Sequence, residues 1–75
     1  MAAKIVQRLF DVHQGAVVVT IEDDLGARAV HTIQVLEPDG SEADVTGYIA
    51  RALGAADGRA EKVRAAFEKH GWTGK

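Results

Sequence analysis

Val35-Leu36-Glu37-Pro38-Asp39-Gly40-Ser41 is the stretch across which the hydrophobic pattern of the chain changes period. Before it, apolar and β-branched residues stand in runs with the alternation of strands. After it, they recur at the three- and four-residue spacing of an amphipathic helix. Pro38 stops the strand that precedes it, because its ring removes a backbone donor and pushes its neighbour out of regular pairing. Asp39 and Gly40 add turn chemistry. The chain therefore reads as α+β, with an antiparallel three-strand meander first and helices second.

Upstream of the turn, Ile5-Val6-Gln7-Arg8-Leu9-Phe10 has strand composition with imperfect alternation, which predicts an edge strand over about 4–10. Asp11 to Gly15 supply a turn. Ala16-Val17-Val18-Val19-Thr20-Ile21-Glu22 carries the densest β-branched run and predicts a strand over about 16–23. The third strand spans about 27–36. Between the last two, Asp24-Leu25-Gly26 fits a three-residue hairpin loop closed by a left-handed glycine. That loop sets Val17 opposite Ile33, Val19 opposite His31 and Ile21 opposite Ala29. One face then holds Val17, Val19, Ile21, Ala29, His31, Ile33 and Val35, whereas a one-residue slip would bring Arg28 onto it.

Downstream, Val45, Tyr48, Ile49, Ala52 and Leu53 form one apolar helical stripe, which predicts a helix over about 43–53. Ser41 or Asp44 can cap its start, and Gly54 is placed to end it. Asp57 then caps a second helix over about 58–70, with Ala60, Val63, Ala66 and Phe67 inward and Gly71 as the stop. With Gly71 left-handed, Trp72 falls where a Schellman closure packs it on Phe67.

Seventy-five residues make a single domain, 1–75, and such a domain buries only about 60% of its unfolded surface. Small domains of this kind use disulfides, a metal or a partner for extra stability. There are no cysteines, which removes disulfides and thiolate sites. His13, His31 and His70 lack the spacing of a local ligand pair, so no metal and no cofactor is expected. Hydrophobic residues at 47% and charged ones at 27% place the chain among folded globular proteins. Gln7, Arg8 and Asp11 interrupt the first apolar run, so neither a signal peptide nor a membrane span is expected there and the reading is cytoplasmic.

No catalytic motif emerges. The aspartates at 11, 23, 24, 39, 44 and 57 sit where turns and helix starts use them. His31 is the one polar member of the predicted inner face, and its ordinary role is a histidine at a sheet rim or under a helix. Gly54-x3-Gly58 precedes a predicted helix but lacks the lysine and hydroxyl ending of a phosphate loop. The protein is read as not an enzyme.

Charge is unevenly distributed. Residues 1–50 carry three basic and eight acidic side chains, and residues 51–75 carry six basic and three acidic. Arg59, Lys62 and Lys69 share one flank of the second predicted helix, which supports an alternative reading as a small nucleic-acid-binding or regulatory protein. That flank is only three cations on a chain of net charge −2, with no base-reading cluster, so nucleic acid is not the expected partner. The polarity suits head-to-tail association of identical subunits, or docking on a larger charged partner.

In its length, its valine-rich meander and the two short helices predicted after it, the chain resembles the small accessory proteins encoded among the structural genes of tailed bacteriophages. The resemblance covers layout alone. It implies a multi-copy virion component of head, connector, tail or baseplate. The leading expectation is a non-enzymatic structural or adaptor protein with protein partners, a homo-oligomer or larger assembly. Its partner-binding edge is expected at Ile5, Val6, Gln7, Arg8, Leu9 and Phe10.

Overall fold

The computed structural model describes residues 3–72. Three antiparallel strands, β1 (Lys4–Asp11), β2 (Ala16–Glu22) and β3 (Arg28–Gln34), form one sheet in the order β1-β2-β3, and one helix, α1 (Val45–His70), follows. The meander matches the sequence reading in number, order and position.

The β2–β3 register is the one the loop dictates: Val17 opposite Ile33, Val19 opposite His31, Ile21 opposite Ala29. Gly26 takes φ +86°, its N–H donates to the Asp23 carbonyl at 3.0 Å, and Asp23 N–H donates to the Ala27 carbonyl at 2.9 Å. β3 stops at Gln34, two residues earlier than expected. Val35 turns its N–H back to the Gly15 carbonyl, and Leu36 bridges to Glu42 across the turn. In that turn Gly40 N–H donates to the Glu37 carbonyl at 2.9 Å with φ +90° at Gly40, the conformation for which glycine is needed.

The expectation of two short helices, over 43–53 and 58–70, is corrected: α1 runs unbroken for 26 residues through Gly54, Ala55, Ala56, Asp57 and Gly58. Two glycines in a helix interior cost about 1 kcal/mol each relative to alanine, which the surrounding alanines and the buried face offset. Gly54 does not adopt a positive φ, so it ends nothing. Asp57 caps nothing either; its carboxylate accepts the Ala3 backbone N–H at 2.9 Å and ties the helix to the start of β1. The apolar residues of the two predicted helices also stay in phase. Val45, Ile49, Ala52, Leu53, Ala56, Ala60 and Val63 make one inward stripe, half-buried except for Ala60, which is buried. A break would have thrown the second half out of phase with the sheet.

The helix lies over β2 and β3. Val19, Ile21 and Ile33 fill the space beneath it with 5% exposure or less, each contributing about 1.5–3 kcal/mol by burial. A 26-residue helix is about 39 Å long against about 23 Å for a seven-residue strand, so α1 overhangs the sheet. Every residue from Arg64 to Trp72 is exposed, and the chain extends over 50 × 19 × 17 Å. The overhang closes as its sequence predicts. Gly71 is left-handed, Trp72 N–H donates to the Phe67 carbonyl at 2.8 Å, Gly71 N–H donates to that of Glu68 at 3.3 Å, and the Trp72 ring meets Phe67 edge-on at 5.9 Å.

Candidate functional site at the sheet edges

Both outer strands of the sheet are edges. β1 contains the residues expected to bind a partner, Ile5 to Phe10, and Leu9 and Phe10 are 52% and 71% exposed. Its pairing with β2 is interrupted at Val6, where the register shifts by a bulge between Ile5 and Gln7. A bulge bends a strand and breaks its row of free backbone groups, which makes β1 a poorer template than its composition suggests.

β3 presents the other edge, and its register against β2 is regular from Arg28 to Gln34. The bonds from Asp23 N–H to Ala27 and from Val35 N–H to Gly15 fix the phase of the ladder. Ala29, His31 and Ile33 therefore direct their N–H and C=O toward β2, while Arg28, Val30, Thr32 and Gln34 direct theirs outward. No described residue pairs with that outward row. A meander of order β1-β2-β3 leaves its third strand at an edge unless a later element covers it. Sequence reading singled out β1 alone because where α1 lies is a tertiary matter.

Beside the β3 edge runs an open groove of about 370 Å³ between helix and sheet, with Ala27, Ala29, Ala52 and Ala55 on its sides and Ile21 and His31 among its floor residues. Its walls are small because alanines line both elements. His31 is half-buried there and meets the Tyr48 ring edge-on at 6.0 Å, the rim position its sequence context suggests. Tyr48 is 40% exposed.

The charged side chains near the groove are polarised along β3. At its start, Arg28 pairs with Glu22 at 3.0 Å and Arg59 with Asp23 at 3.3 Å; both guanidinium groups stay more than 60% exposed while the carboxylates turn inward. At its end lie Glu37, Asp39, Glu42 and Asp44, none in an ion pair among the described residues, with Arg51 the neighbouring cation. Asp39 accepts both the Ser41 hydroxyl at 2.6 Å and the Ser41 N–H at 2.9 Å. The hydroxyl and then the backbone bond hold its carboxyl below the ordinary value of 3.8.

Of Arg59, Lys62 and Lys69, the three cations of the nucleic-acid reading, all on the single helix α1, Arg59 is engaged with Asp23; on the other flank Arg64 pairs with Asp24 at 3.0 Å. Lys62 and Lys69 stand exposed. Among the described residues no three His, Asp or Glu side chains gather where a metal ion could be held, and no described helix is long and apolar enough to cross a membrane. No family model matches the chain, and neither the curated proteins nor the solved structures include a match. The fold thus defines the class on its own: a small α+β domain, a three-strand antiparallel meander under one long helix.

Proposed function

We propose that this chain is a non-enzymatic structural or adaptor protein that works by docking into a larger assembly, in the manner of the multi-copy components of a tailed-phage virion. The observation that carries the reading is surface. The chain exposes 5414 Å², against roughly 4,400 Å² for a compact monomer of its mass. Its radius of gyration is 15.4 Å, where about 11 Å suits a compact 75-residue domain. Leu9, Phe10, Val12, Val30, Leu36 and Trp72 are each more than half exposed, and Leu9 and Phe10 on β1 and Val30 on β3 put apolar side chains on both sheet edges.

The acidic side chains support the same reading. All six aspartates accept hydrogen bonds within the chain, from a turn, a helix start, an arginine or the Ala3 N–H. They are structural groups in these positions.

Gradient fractionation of an extract from the native source tests the reading, followed by mass spectrometry of high-mass fractions and of purified particles. The protein is expected in the high-mass fractions, and in virions if it is a phage component. Recovery solely at the mass of the free chain would overturn the assembly role. Recovery in large complexes but not in particles would overturn the virion assignment alone.

A further inference from the structure

We propose that the β3 edge is a self-association surface, with two copies pairing antiparallel through Arg28–Gln34 about a two-fold axis at His31 to make one continuous sheet. This deepens the assembly reading and rests on it. The backbone phase selects the register. Arg28, Val30, Thr32 and Gln34 carry the outward N–H and C=O groups, and with His31 opposite the partner's His31, Arg28 meets the partner's Gln34 and Val30 the partner's Thr32. Every outward donor of one copy then finds an outward acceptor of the other. A slip by one residue would set outward groups against inward ones, and a slip by two would leave an end unpaired.

The side chains agree with that register. Val30 is 66% exposed and would lie beside a β-branched threonine, a favourable cross-strand pair. On the helix side, Ala29 would lie beside the partner's Ile33. Because the pairing is antiparallel, the Arg28 and Arg59 end of one copy meets the Glu37, Asp39, Glu42 and Asp44 end of the other. Both guanidinium groups keep their own pairs with Glu22 and Asp23 but stay more than 60% exposed, and they face carboxylates that lack an ion pair among the described residues and have Arg51 as the neighbouring cation. A two-fold contact must be complementary to itself, and this polarised edge is. The alanines at 52 and 55 let the second helix approach, and the exposed Tyr48 ring beside His31 is placed to enter the partner's groove.

Thr32→Pro tests the proposal, since it removes an outward N–H that the β2–β3 ladder does not use. Arg8→Pro is its counterpart on the β1 edge. Light scattering on a sizing column is expected to give twice the chain mass of 8.0 kDa for the wild type and Arg8→Pro, and the single mass for Thr32→Pro with unchanged helicity by circular dichroism. Should the proline variant lose helicity, amide exchange of the wild-type protein decides. Val30 and Thr32 N–H are expected to gain at least tenfold protection between dilute and concentrated samples, and unprotected amides at high concentration would overturn the proposal. If Arg8→Pro dissociates the protein and Thr32→Pro does not, the β3 interface fails while the assembly reading stands. A wild type at single mass at every concentration also overturns the interface, and the gradient fractionation then decides the assembly reading separately.

Discussion

Arg59, just past the middle of α1, donates across 3.3 Å to Asp23, the residue that follows β2 and is only 6% exposed. The second oxygen of Asp23 accepts the N–H groups of Leu25 and Ala27 at 2.9 and 3.0 Å. One side chain thus closes the β2–β3 hairpin and anchors the helix above it. Removing it leaves donors without an acceptor in a part-buried place.

Asp23→Ala is accordingly expected to destabilise the fold by roughly 1–3 kcal/mol, the cost of orphaning such donors. Arg59→Ala removes a mostly exposed guanidinium and should cost less than about 1 kcal/mol. Urea unfolding of both variants checks the order. Equal effects would show that the ion pair, not the hairpin closure, dominates.

Gly54 and Gly58 lie inside a continuous helix, and a methyl group added at either meets nothing within 4 Å. Gly54→Ala and Gly58→Ala should each raise stability by up to about 1 kcal/mol. Two helices joined at a left-handed Gly54 would predict the reverse for that substitution, so thermal melts of Gly54→Ala distinguish the two architectures.

Gly71 is left-handed at φ +71°, where a Cβ costs roughly 1–2 kcal/mol. Gly71→Ala should therefore destabilise the closure of the overhang, and because Trp72 sits on Phe67 and stacks on His70 at 4.6 Å, its fluorescence should shift to the red. Unchanged emission would mean that the tryptophan does not report the helix end.

The Asp39 carboxyl, held below 3.8 by Ser41, links the turn to pH. A carboxyl whose value is lower folded than unfolded adds stability above the unfolded value, lost as pH falls through the folded one. The wild type should therefore lose more stability than Asp39→Asn on going from about pH 5 to about pH 3. Ser41→Ala should shrink the difference. Parallel acid titrations of the three proteins followed by circular dichroism measure this.

The sheet was legible in the sequence because its signals are local. Asp24-Leu25-Gly26 fixes the hairpin, and a period of two carries its register along Val17, Val19 and Ile21. The closure at Gly71 and Trp72 was legible for the same reason. The helix was misread at Gly54, Asp57 and Gly58, where start and stop residues outweighed an apolar stripe that stays in phase from Val45 to Val63. Local preferences of about 1 kcal/mol lose to a buried face shared with a sheet. At the candidate site, β1 was visible as an edge, but its bulge at Val6 and the free row on β3 follow from pairing and helix placement, which no single segment encodes.

Sedimentation equilibrium of the purified wild-type chain, from low micromolar to near-millimolar concentration, decides whether the β3 edge joins two copies. The average mass is expected to rise with concentration from 8.0 kDa toward twice that value. A single species of 8.0 kDa across the whole range would contradict it.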